Sequence, residues 1–346
     1  MTQSVICILL RAALATLLLC HALAAQAENA IVPADAKLEL LHQRSSKIQG
    51  GLTEGPAAAP DGSIYFTDIP EGADRGQILR YDPKTGRTTT FTVDSGKANG
   101  LAFDAAGRLI ACEGVDGGGR RISRWDVKTG KSETIVDRIG GKRFNAPNDL
   151  CIDKAGRIYF TDPKYVGTEA RELEHRAVYR IDIDGGVSEL THDVEKPNGV
   201  AVSPDQKTLY VADTNNGADG PLAPGAAPPL KGAMKVYAFP LSAAGEIAGP
   251  RRTVIDFGAD DGCDGMTVDS AGNLYLAARN ARRPGVLVLD PNGKELAYIA
   301  TGKPQPREKK AVGLPSNCEF GVGDDRHSLY ITVDTSLYRI RLKTGR

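Results

Sequence analysis

Apolar residues alternate with polar ones at a period of two along most of the chain, in short runs bounded by Gly, Asp and Asn turns. One turn-and-strand pattern recurs as Gly62-Ser-Ile-Tyr-Phe-Thr-Asp68, Gly107-Arg-Leu-Ile-Ala-Cys-Glu113 and Gly156-Arg-Ile-Tyr-Phe-Thr-Asp162. It returns as Lys207-Thr-Leu-Tyr-Val-Ala-Asp213, Gly272-Asn-Leu-Tyr-Leu-Ala-Ala278 and His327-Ser-Leu-Tyr-Ile-Thr-Val333. A second pattern follows each, as in Ile78-Leu-Arg-Tyr-Asp82 and Val178-Tyr-Arg-Ile-Asp182. No stretch after the N-terminal leader keeps a helical period. Repeats of four short strands at a spacing of roughly 50 residues predict an all-β, six-bladed β-propeller. In blade 3 the strands are expected near 149–152, 158–161, 177–181 and 187–191.

The two ends of the chain complement each other. The sixth repeat stops at Arg346 after its third strand, and the segment Lys37–His42 reads as a strand with no blade of its own. That segment is expected to complete the last blade, closing the ring and removing an exposed sheet edge. Loops between the second and third strands then rim one end of the channel: Ile69–Gly76, Gly114–Arg120, Pro163–Arg176, Thr214–Gly232 and Arg279–Pro284. The Pro/Gly/Ala-rich blade 4 loop reads equally as a lid or as a flexible insertion, and blade 6 has almost no loop there.

Aligning the repeats exposes a polar position just before each innermost strand: Glu54, Asn99, Asn148, Asn198, Asp264 and Asn317. A propeller brings these starts to the same end of the channel. Asn-Gly and Asp-Gly pairs are ordinary turn signals, which accounts for any single blade. It does not account for Glu54, or for oxygen acceptors throughout the set. Two carboxylates with several amide carbonyls, and no His or Cys, form a hard-oxygen site suited to Ca²⁺, and also to Mg²⁺ or Mn²⁺.

Composition narrows the partners. The chain has 43 basic and 43 acidic residues and no net formal charge, which removes any electrostatic case for nucleic acid or an anionic membrane. Met1–Ala27 carries a single charge, Arg11, and ends in Ala25-Gln26-Ala27, predicting a cleaved export signal with the remaining chain, 28–346, as one propeller. Export implies a periplasmic or secreted protein in which disulfides persist. Cys112, Cys151, Cys263 and Cys318 remain after cleavage; one disulfide and buried thiols are both open, with three pairings available.

With Thr53-Glu-Gly-Pro56, Lys142-Arg-Phe-Asn-Ala-Pro-Asn-Asp149, Tyr159-Phe-Thr-Asp-Pro163, Lys196-Pro-Asn-Gly199 and Asp264-Gly-Met266 in order, the chain resembles the senescence-marker-protein/gluconolactonase/luciferin-regenerating-enzyme-like family. The likeness spans about Lys37 to Arg346 and is strongest to its bacterial gluconolactonase branch. It implies a divalent cation, often calcium, held by Glu54, Asn148, Asn198 and Asp264; apart from the resemblance, Zn²⁺ is a further candidate. The resemblance also implies substrate contacts from Asn99 and from Arg143, for which an ordinary surface arginine is the alternative. One departure stands out. Gluconolactonase-like members often carry a His after the Cys-Glu of the second blade, whereas here Gly114-Val115 follows Cys112-Glu113, leaving Glu113 as a polar contact at the rim.

The reading that follows is a metal-dependent lactonase acting on a small sugar lactone, with Asp264 as ligand and general base. No Gly-x-Ser-x-Gly elbow or Ser-His-Asp arrangement supports a covalent acyl-enzyme. Two alternatives keep the fold: a phosphotriesterase-type hydrolase on the same metal site, and a non-catalytic ligand-binding propeller.

Overall fold

Each repeat closes on itself as a four-stranded antiparallel sheet in a computed structural model that describes residues 30–45, 51–72, 74–221, 226–227, 229–306 and 311–346. The expected export signal, Met1–Ala27, lies outside the described residues. After an N-terminal strand β1 (Glu39–Gln43), blade 1 comprises β2 (Leu52–Ala58), β3 (Ile64–Ile69), β4 (Gln77–Asp82) and β5 (Arg87–Thr92). Blade 2 comprises β6 (Ala98–Phe103), β7 (Leu109–Glu113), β8 (Arg121–Asp126) and β9 (Lys131–Val136). A small hairpin, β10 (Arg138–Ile139) with β11 (Lys142–Arg143), leads into blade 3, formed by β12 (Leu150–Ile152), β13 (Ile158–Thr161), β14 (Val178–Ile181) and β15 (Val187–Thr191). Blade 4 holds β16 (Pro197–Val202), β17 (Thr208–Thr214), β18 (Met234–Pro240) and β19 (Arg252–Asp256). Blade 5 holds β20 (Cys263–Val268), β21 (Leu274–Ala278), β22 (Gly285–Leu289) and β23 (Glu295–Ala300). Blade 6 has β24 (Pro315–Phe320), β25 (Ser328–Val333) and β26 (Ser336–Arg341).

The missing outer strand of blade 6 is β1, paired antiparallel with β26 through Glu39 opposite Arg339 and Gln43 opposite Ser336. The Arg339–Glu39 ion pair, at 2.7 Å, fastens this closure, and Arg44, just after β1, pairs with buried Asp68 of blade 1. The innermost strands pack neighbour to neighbour in an unbroken circle, β2–β6–β12–β16–β20–β24–β2.

The apolar runs of the second strands follow from this circle. A strand in the middle of a blade is covered on both faces, so both sets of its alternating side chains are buried. In β21, Leu274, Leu276 and Ala278 pack towards blade 4, while Tyr275 packs towards blade 6. In β3, Tyr65 joins blade 2, and Ile64 and Phe66 join Tyr330 and Leu337 of blade 6. Among the described residues every junction between adjacent blades holds such a cluster. The core is thus a ring of wedges.

The four cysteines are free thiols: Cys112, Cys263 and Cys318 are buried in this packing and Cys151 is half-buried. Burial raises the pKa of each, so they behave as small apolar side chains. Among the described residues no helix is long and apolar enough to cross a membrane.

Candidate functional site

Strand register decides which side chains face the channel. The ladders oppose Val200 to Val211, Met266 to Leu276 and Leu150 to Phe160, so Asn198, Asp264 and Asn148 each lie two residues before the paired position. Blade 6 opposes Cys318 to Ile331, which makes Ser316, not Asn317, the counterpart of these residues. Ser316 turns its hydroxyl away, donating to the Thr53 carbonyl at 2.7 Å to clasp blade 1. Asn317 sits one residue further on, level with Asp149 of blade 3.

Asp149 and Asn317 therefore form a second polar level, on blades opposite each other in the ring. Their side chains hydrogen-bond to one another. Each also accepts the next backbone N–H, from Leu150 at 2.9 Å and from Cys318 at 2.8 Å. The equivalent position is glycine in the other blades, and space is the reason. A Cβ on Gly100 would fall 2.5 Å from the Asp149 carboxylate, and one on Gly265 would fall 2.0 Å from Cγ of Asn317. The sequence pattern pointed to Asn148 and passed over its neighbour Asp149; the signal was a lone acid in a column of glycines.

Glu54, Asp149, Asn198 and Asp264 converge. Burial raises the pKa of Glu54 well above the carboxylate range, and the charges of Asp264 and Asp149 add to it. The Glu54 carboxylate accepts the N–H of Gly55 at 2.9 Å. Burial also raises Asp264, opposed by Arg279 and by a hydrogen bond from Asn198. Burial pushes Asp149 up to about 7. Of these three buried acids, Asp264 raises both Glu54 and Asp149 and Asp149 raises Glu54, so the cluster has a deficit of positive charge, and Arg279, donating to Asp264 Oδ2 at 3.2 Å, is a cation beside it. Arg279 lies at the start of a predicted rim loop, where nothing in the sequence separated it from other surface arginines.

The remaining predicted residues fare differently. Asn99 and Asn148 are half-buried at the channel mouth; the Asn148 carbonyl accepts the Gly100 N–H at 2.7 Å and the Asn99 carbonyl accepts the Thr67 hydroxyl at 3.1 Å. Arg143 belongs to β11, where its guanidinium donates to the Gly119 carbonyl at 2.5 Å and its N–H donates to Glu172 at 2.9 Å. Glu113, expected at the rim, is instead fully buried and accepts Nε of Arg121 at 2.8 Å. The absent side chains of Gly96 and Gly119 leave the space its carboxylate fills, so it is part of the scaffold.

Other acids at the ends of second strands are scaffold too. Asp162 accepts the N–H groups of Asn145 and Ala146 at 2.7 and 2.6 Å. Asp213 accepts those of Glu195 and Lys196, both at 2.8 Å. Each clamp fixes the chain just before Asn148 or Asn198, setting where those amides point.

The rim is held by side chains of blade 3 and blade 4. Tyr165 hydrogen-bonds to the side chain of Asn198 and donates its hydroxyl to the Thr214 carbonyl at 3.0 Å. Buried Lys196 lies 4.3 Å from the centre of the Tyr165 ring and donates to Asn216 at 2.7 Å. Asp219 takes Arg176 at 2.5 Å. The described start of the blade 4 loop is thus pinned to its neighbour.

Fold and site together define a closed six-bladed propeller with buried carboxylates and amides at one mouth of its channel. The chain belongs to the SMP-30/gluconolactonase/LRE-like family, whose sequence pattern matches residues 52–219 and 231–335. It is 28% identical to a gluconolactonase of Zymomonas mobilis, over 91% of this chain and 84% of that one. It is 29% identical to a pentonolactonase of Haloferax volcanii, over 81% of each. The solved structure of a gluconolactonase from Xanthomonas campestris superposes with a TM-score of 0.71 at 31% identity, covering 92% of this chain and 93% of that one. A calcium-binding regucalcin from Agrobacterium tumefaciens shares the fold at 20% identity, with a TM-score of 0.66 over 90% and 95% of the two chains.

Proposed function

We propose that the protein hydrolyses a small sugar lactone at the channel mouth, using a divalent cation held by Glu54, Asn148, Asn198 and Asp264. The observation that carries this reading is the convergence of buried Glu54 and Asp264, whose like charges a cation would offset. The donor set fits such an ion: carboxylate and amide oxygens with no thiolate or imidazole suit Ca²⁺, and accept Mg²⁺ or Mn²⁺. When bound, the cation supplies Lewis-acid polarisation and compensates developing negative charge.

The chain's own groups do the rest. Asp264 takes the proton from the attacking water, held in orientation by Asn198 and Arg279. Arg279 places positive charge where a lactone oxygen becomes anionic. Asn99 and Arg143 contact the sugar hydroxyls. The lactonase relatives support this substrate class. Met1–Ala27 directs export, so the mass of periplasmic or secreted protein should correspond to a start near Glu28, and an uncleaved chain would refute that.

The test is hydrolysis of glucono-1,5-lactone and pentonolactones, followed after chelation and after adding back Ca²⁺, Mg²⁺, Mn²⁺ or Zn²⁺. Turnover abolished by chelator and restored by one cation supports the reading. Phosphotriester turnover without lactone turnover, or binding without hydrolysis, would overturn it.

A further inference from the structure

Away from the channel, at the outer edge of blade 3, three side chains from two segments meet. His175 lies near the end of the rim loop before β14, Glu189 lies on the outermost strand β15, and His192 follows that strand. The Nδ1 atoms of His175 and His192 lie 3.3 and 2.6 Å from the same Glu189 oxygen, Oε1. The two rings stack with centroids 3.8 Å apart and an interplanar angle of 29°. One ligand atom from each residue lies within 4.8 Å of the others. Histidine is scarce in this chain, with 5 in the whole sequence, so two on one carboxylate is a notable concentration.

We propose that His175, Glu189 and His192 form a second metal site that takes a borderline divalent transition ion, with Zn²⁺ the reference case and Ni²⁺ or Cu²⁺ close analogues. The ligand chemistry separates it from the channel: two imidazoles with one carboxylate select such ions, whereas oxygen-only sets select Ca²⁺ or Mg²⁺. The spacing fits as well. Ligand bonds of about 2.0–2.1 Å around a tetrahedral ion put neighbouring donor atoms about 3.3 Å apart, so small rotations of exposed side chains bring all three donors into place. Water completes the coordination on the solvent side.

A metal ion here would staple the rim loop to the outer strand. That loop carries Tyr165 and Arg176, and the His175 carbonyl accepts the Asn145 side chain at 3.0 Å. Asn145 begins the run that Asp162 clamps ahead of Asn148, so the staple braces the channel mouth without entering it. The inference stands apart from the lactonase reading, because it rests on different residues and a different ion.

The experiment is titration of the full chain, free of any affinity tag, with Zn²⁺ in excess Ca²⁺, read by calorimetry; Co²⁺ absorption in the visible reports the ligand geometry. Wild type should bind a Zn²⁺ ion that His192→Ala, His175→Ala and Glu189→Gln bind at least ~10-fold more weakly, while Asp264→Asn binds it normally. His192 is exposed, so its replacement tests the site without disturbing packing. Equal Zn²⁺ affinity in wild type and His192→Ala, or no Zn²⁺ binding by wild type, overturns the proposal.

Discussion

Asp162 and Asp213 at the ends of second strands, and Glu54 and Asp264 at the channel mouth, are all buried acids, yet the protein surrounds them in opposite ways. Each of the first pair spends both oxygens on two backbone N–H groups, fixed by the fold. Glu54 has the N–H of its own neighbour Gly55, while Asp264 relies on the side chains of Asn198 and Arg279. Burial raises the pKa of all four. Burial of a carboxylate is therefore no mark of function here. What distinguishes the two regions is whether a pair of backbone N–H groups faces the buried carboxyl, or a single N–H or side chains alone do so.

The contrast breaks most sharply in activity. Asp264→Asn should lower lactone turnover by about 10²–10⁴-fold, the range expected for a lost general base, with the fold retained by circular dichroism. Asp162→Asn should do the reverse: the amide places an N–H₂ against two N–H donors and costs about 1–3 kcal/mol of stability, measured by urea unfolding. Equal effects of both substitutions on stability would erase the distinction.

Acidity sharpens it further. Burial lifts Asp162 from 3.8 to about 7, so the folded state binds a proton that the unfolded state has released. Its contribution to stability is fully present below pH ~4 and is lost as pH rises through ~7, with a slope of up to about 1.4 kcal/mol per pH unit. Asp162→Asn should flatten unfolding free energy against pH across that window; an unchanged slope would contradict the assignment. The smallest expected effect is at Asn317→Ala, which removes the partner of Asp149 and should cost about 1 kcal/mol, seen as a modest drop in melting temperature.

The propeller was legible because its physics repeats: the same alternation, turn and apolar pair occur in every blade, and the expected strands of blade 3 match β12–β15 to within a residue. Closure by the N-terminal strand was legible from the complementary ends. The polar column was legible where strands have regular length, giving Glu54, Asn198 and Asp264 together. It failed at blade 6, where the pairing of Cys318 with Ile331 moves Asn317 one residue along. Asp149, Arg279 and Tyr165 escaped because their roles depend on what faces them across the channel or rim. Glu113 looked like a rim contact for the converse reason: only packing reveals that Gly96 and Gly119 make room to bury it against Arg121.

The decisive experiment is the melting temperature of Glu54→Gln against wild type, both in chelator at neutral pH. The substitution keeps an acceptor for the Gly55 N–H and removes the carboxyl group whose ionisation burial, Asp264 and Asp149 all oppose. A site kept for a cation predicts a melting temperature equal to or above wild type. A fall of several degrees would mean that Glu54 holds the fold together as Asp162 and Asp213 do, and that the channel acids are structural after all.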